Sequence, residues 1–141
     1  MPKGLLALVG AGVFSILLVA ARTPGVNQWL PAVDFFRVAL VVHVDLSVLV
    51  WFAAMAAMLW TLIATPRAES WSWLALGLCA GGALLMSLGA FVSPGAPIMA
   101  NYIPVLEGPL FMAGLLAFAV GFGLQVLRAL LAAPKLSGAF G

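Results

Sequence analysis

Four apolar runs, each long enough to cross a bilayer, account for most of the chain. A helix needs about 20 mostly apolar residues to span a hydrocarbon core of roughly 30 Å. Residues 4–21 carry no charge and stop at Arg22-Thr23-Pro24-Gly25. Residues 35–64 form the longest run, with room to tilt or to project beyond the core, and end at Thr65-Pro66-Arg67. Residues 71–92 stop at the breaker cluster Ser93-Pro94-Gly95, and residues 109–131 are followed closely by Pro134. Main-chain polar groups in lipid must be satisfied internally, so each run reads as a helix, and nothing alternates as a barrel strand would. The expected fold is all-α, an integral membrane four-helix bundle forming a single domain over residues 1–141.

Composition closes the alternatives. Hydrophobic residues make up 65% of the chain and charged ones 7%, against roughly 25% charged in a soluble domain. That polar complement cannot cover a water-soluble globule, and disorder needs the opposite bias. Cys79 is the single cysteine, which removes an internal disulfide, a CxxC pair and a thiolate zinc site. One histidine and four carboxylates leave little for catalysis that needs several titratable groups. The small excess of Lys and Arg reads as topology and lipid-headgroup charge, with no nucleic-acid partner.

The first run has features of a signal peptide, with Lys3 before it and Ala20-Ala21 near its end. Its length and the three spans that follow favour an uncleaved helix. With four spans, Lys3, Arg67, Arg128 and Lys135 share one side of the membrane, and Arg22 and Arg37 the other. The positive-inside rule then places both termini in the cytoplasm. The outward loops, residues 22–34 and 93–108, hold Trp29, Tyr102 and several prolines, a composition suited to rigid interfacial caps. Small residues at helical spacing, Gly77, Gly81, Gly82 and Gly89 in the third span and Gly114, Ala117 and Gly121 in the fourth, let helix backbones approach closely. They serve either packing within the chain or a dimer contact.

Ionisable groups inside a span are costly and mark candidate sites. His43 and Asp45 lie in the second span, His43 roughly 12 Å below its outward start at 1.5 Å per residue. A neutral imidazole is the least costly ionisable group to bury, and it is an axial ligand for haem iron. Regular α-helical spacing puts Phe36, Ala39, Leu40, Leu46, Ser47, Val50, Ala54 and Ala57 on its side of the helix. The small members, Ala39, Ser47, Ala54 and Ala57, would leave a shallow groove for a flat macrocycle. The competing reading is that His43 hydrogen-bonds a neighbouring helix and the small residues permit close packing. Asp45 points roughly to the opposite side. It is either a protonated, hydrogen-bonded carboxyl or a proton-relay or substrate group. Arg22 and Arg37 are natural partners for haem propionates, or else ordinary interface anchors. Trp71 and Trp73 read as interfacial belt residues, whereas Trp51 is deeper and placed to pack against a cofactor. Met55, Met58, Met86 and Met112 are deep enough to offer a thioether, a role that methionine in a span seldom takes.

The order of these features is similar to a known family. Asp34-Phe35-Phe36-Arg37 leads into Val42-His43-Val44-Asp45-Leu46-Ser47-Val48-Leu49-Val50-Trp51-Phe52. A Pro66-Arg67 turn precedes the third span, and Gly95-Ala96-Pro97 leads through Asn101-Tyr102 to Pro109-Leu110-Phe111. This resembles the first four helices of subunit I of haem–copper oxidases, cbb3-type and related bacterial members included. The resemblance covers nearly the whole chain but about a third of such a subunit. It implies that His43 ligates a low-spin haem on the outward side, with haem b as cofactor and both termini cytoplasmic. Val44 departs from the small residue that commonly follows the family's histidine. The helices that carry the copper ligands, the second low-spin haem histidine and the high-spin haem ligand have no counterpart here, so no oxygen chemistry carries over.

A bis-histidine haem needs two imidazoles and the chain has one. Two chains about a two-fold axis would supply both; a second oxidase-like chain, a methionine or an open position are the alternatives. The expectation is a haem b-binding protein of a bacterial inner membrane, ligated by His43 with Arg22, Arg37, Ala39, Ser47, Val50 and Trp51 around it, transferring electrons within a respiratory assembly and not catalytic alone. Its rivals are a non-redox scaffold or assembly subunit, and a small proton-coupled transporter using Asp45. Against the transporter, no break in the helix is evident near Asp45.

Overall fold

The computed structural model describes residues 2–30, 34–63 and 69–131. Ala64, the Thr65-Pro66-Arg67 stop, Pro134 and Lys135 lie outside the described residues. Helix α1 covers Pro2–Arg22. The second span is one continuous rod in three parts: α2 (Phe35–Val44), a π-helical segment (Asp45–Val50) and α3 (Trp51–Ile63). Helix α4 covers Glu69–Val92 and α5 covers Pro109–Leu131. Four helical stretches are long and apolar enough to cross a membrane: Leu5–Arg22, Phe35–Leu62, Trp71–Val92 and Pro109–Leu131. These follow the four runs read from the sequence to within a few residues.

Two hairpins make up the bundle. In the first, α1 runs antiparallel to the second span. The Arg22 guanidinium stacks 4.0 Å from the centre of the Phe36 ring, and deeper in, Ala11 meets His43. In the second, α4 and α5 approach until main chain touches main chain. A methyl group on Gly82 would lie 2.6 Å from the Gly114 carbonyl oxygen, and one on Gly121 would lie 2.7 Å from that of Ala75. Gly77 and Gly81 meet nothing within 4 Å. The small residues therefore divide, with Gly82, Gly89, Gly114 and Gly121 packing the hairpin and Gly77 and Gly81 turned outward.

The hairpins join at both ends. Phe14 and Phe35 each hold their ring 5.8 Å from Phe91 at the Arg22 end. At the other end Trp60 stacks on Phe122 at 5.9 Å. Val38, Ala39, Val41, Val42, Met86, Ala90, Leu106 and Phe111 fill the core between them. Large apolar residues such as Leu6, Ile16, Leu62, Val92 and Leu116 stay exposed, as a lipid-facing surface requires.

A small antiparallel ribbon, β1 (Pro97–Ile98) with β2 (Val105–Leu106), connects α4 to α5, with Pro97 opposite Leu106. The Gly108 amide donates to the Pro94 carbonyl at 2.9 Å, and Pro109 opens α5 at the position where a missing N–H costs least. Leu106 is fully buried beneath this loop, so it is a folded cap on the bundle.

Candidate functional site

The second span holds both ionisable residues of the membrane interior, and the structure separates them. His43 ends α2's third turn and is half-buried. Its Nδ1 lies 2.8 Å from the Ala11 carbonyl oxygen of α1. A carbonyl oxygen can only accept, so Nδ1 carries a proton, and in the neutral ring the lone pair is on Nε2. Nε2 has no hydrogen-bond partner among the described residues. Histidines that ligate metals are commonly held this way, with the other ring nitrogen donating to a backbone carbonyl. The contact with a neighbouring helix that the competing reading anticipates is thus present, through Nδ1.

Just below the imidazole the helix widens. The amide of Trp51 reaches the Leu46 carbonyl, five residues back. Ser47 lies within this turn: its hydroxyl donates to the His43 carbonyl oxygen at 2.7 Å and lies 3.3 Å from that of Val44. A serine that bonds back four residues competes with the main-chain ladder and bends it. The π-turn accommodates roughly one residue more than an α-turn, so later side chains rotate by about 100° relative to regular spacing. The face inferred from α-helical periodicity therefore does not continue through the span. Val50, Ala54 and Ala57 line a cleft between the hairpins together with Leu46, while His43, Ala39 and Ser47 do not. Ala39 is wholly buried in the core.

Asp45 opens the π segment and is 1% exposed, and neither carboxyl oxygen has a hydrogen-bond partner. The hydrogen-bonded carboxyl anticipated as one reading is thus not formed within the described residues. Nor does Asp45 orient the imidazole, whose partner is Ala11. Although the helix does not break here, it departs from α geometry at this residue, which the sequence had given no sign of.

The two outward arginines lie at one end of the first hairpin. Arg22 stacks on Phe36, and the Arg37 Nε is 3.3 Å from the Asp34 carboxylate in an exposed pair. Both remain at the surface and reach toward solvent. Trp51 is half-buried and packs edge-on against Phe52 with ring centres 4.9 Å apart. Trp71 and Trp73 are exposed, as belt residues are. Of the methionines, Met86 is fully buried, Met112 is exposed, and Met55 and Met58 line the cleft. No cluster of three or more His, Cys, Asp or Glu gathers among the described residues. A multi-residue metal centre has no scaffold there, whereas a haem iron asks for one or two axial ligands.

These features define a multi-pass, all-α membrane protein with one imidazole hydrogen-bonded between helices inside a span. An uncharacterized protein of Aquifex aeolicus (strain VF5) is 31% identical to it over 131 residues, 93% of this chain and 33% of that protein. The uncharacterized protein RP382 of Rickettsia prowazekii (strain Madrid E) is 37% identical over 57 residues, 40% of this chain and 11% of that protein. The chain thus spans a third or less of the length of these curated relatives. No protein-family profile matches it, and no solved structure matches significantly.

Proposed function

We propose that the chain binds haem b through Nε2 of His43, as half of a low-spin bis-histidine site, and transfers electrons in a bacterial inner membrane with both termini cytoplasmic. The observation that carries the reading is the 2.8 Å contact from Nδ1 to the Ala11 carbonyl, an arrangement common to metal-ligating histidines, in which the other ring nitrogen is left for a ligand. Arg22 and Arg37 stand at the matching rim of the bundle, where two propionates would want charge-assisted donors. Bound haem supplies a reversible one-electron change at iron. The residues of this chain orient the ligand and keep the site in an apolar surround.

The second imidazole comes from another chain, either a second copy about a two-fold axis or a separate oxidase-like partner. The test is the visible spectrum of protein purified after expression with ample haem, oxidised and dithionite-reduced, beside His43→Ala. Sharp reduced bands lost in the variant, at a haem-to-chain ratio of about one half, support the shared site. A featureless spectrum overturns it and leaves a non-redox scaffold as the working function.

A second reading rests on Asp45, whose buried, unpartnered carboxyl opens a non-α turn. Intramembrane carboxyls of this kind serve proton-coupled transport. It predicts a pH-dependent ligand affinity abolished by Asp45→Asn.

A further inference from the structure

A second feature, independent of His43, lies between the hairpins. An apolar cleft of about 750 Å³ separates them, within the roughly 300–1,000 Å³ of small-molecule sites. It runs from the level of Ser87 to that of Ser72 on α4, about 22 Å at 1.5 Å per residue. None of the described residues lining it carries a formal charge, and Ala80 and Ala83 keep one wall low.

Polar side chains concentrate at the Ser72 end. Gln125 lines the cleft and is 9% exposed. The Ser72 hydroxyl, also in the lining, is buried with no partner. The α4–α5 register brings them to one level. A methyl on Gly121 would meet the Ala75 carbonyl oxygen and the Cys79 amide, so one turn further along α5 sets Gln125 opposite residues 71–75. A buried polar group left without a partner among the described residues, as the Ser72 hydroxyl is, is costly, and it and Gln125 both border a space long enough for an apolar chain.

We infer that the cleft is a binding site for a neutral, linear lipid, with its hydrogen-bonding head at Ser72 and Gln125 and its tail rising between the hairpins toward Ser87. The lack of charge in the lining disfavours a phosphate head, because a buried anion needs a paired cation. A carbonyl-bearing head accepts from the serine hydroxyl and the glutamine amide together. Lipid-soluble quinones and diacylglycerols share this chemistry.

The test uses the full chain in nanodiscs, titrated with decylubiquinone while tryptophan fluorescence is read, since Trp73 lines the cleft. Saturable quenching is expected. Ser72→Ala with Gln125→Leu should raise Kd about tenfold, the loss of two neutral hydrogen bonds. Ala83→Phe, which fills the cleft and leaves the polar pair intact, should abolish saturation, and circular dichroism verifies that both variants fold. Displacement of the quinone by dioleoylglycerol would assign the site to neutral lipids in general, and failure to displace would assign it to quinones. Linear, non-saturable quenching that is equal in wild type and both variants overturns the inference, whatever the haem spectrum shows.

Discussion

Gly82 and Gly114 stand main chain against main chain. A methyl group on either would lie within 2.7 Å of the other's carbonyl oxygen. Backbone atoms cannot retreat as a side chain can, so Gly82→Val should force α4 and α5 apart. Overpacking of this sort costs about 1–3 kcal/mol, and here the upper end is expected, read as a fall in the thermal midpoint in detergent. Gly81→Val, one residue along on the open face, should stay within about 0.5 kcal/mol of wild type. Equal losses in the two variants would mean that Gly81 packs as well.

The cap between α4 and α5 depends on two glycines for different reasons. Gly95 has φ +66°, and a Cβ on Gly108 would collide with the Ser93 carbonyl oxygen. Gly108→Ala should therefore displace the Pro97–Leu106 pairing and expose Leu106. Limited proteolysis of the loop, slow in wild type, should become fast in the variant.

Ser47 donates to the main-chain carbonyl of His43, whereas the imidazole itself is bonded to Ala11. Ser47→Ala should therefore keep any His43-dependent spectrum. It should also change stability by about 0.5–1.5 kcal/mol, as the hydroxyl that competes for the helix carbonyl is withdrawn. Loss of the haem bands in this variant would give Ser47 a part in holding the ligand.

Asp45 carries two buried oxygens with no hydrogen-bond partner among the described residues. Asp45→Val removes both while adding little volume, and relief of unsatisfied polar atoms is worth about 1–3 kcal/mol. Thermal stability of the isolated chain should hold or rise. A clear drop would reveal a partner for the carboxyl supplied by water or by another molecule.

The spans were legible because hydropathy and breaker residues act locally: Pro109 and Ser93-Pro94 mark helix ends wherever they occur in lipid. His43 was legible as an isolated ionisable group. Its tautomer was not, since that depends on where Ala11 of another helix comes to rest. The π-turn escaped periodicity analysis because the apolar pattern carries no mark of it, and everything downstream is shifted by it. The common level of Ser72 and Gln125 escaped for another reason: it is set by α4–α5 glycine contacts across the hairpin, and each residue alone reads as an ordinary polar helix end.

The close α4–α5 contact also bears on how the molecule is made. Contacts between neighbouring helices close short loops and form early, and glycine-to-glycine packing needs no third helix. The hairpin from Glu69 to Leu131 can thus be complete as soon as its second helix leaves the translocation machinery, while the hairpin from Pro2 to Ile63 is held through Ala11, His43, Gly10 and Leu46. Biogenesis becomes a docking of two prefabricated halves, and a gene split between the codons for Ile63 and Glu69 should still yield a reassembled protein.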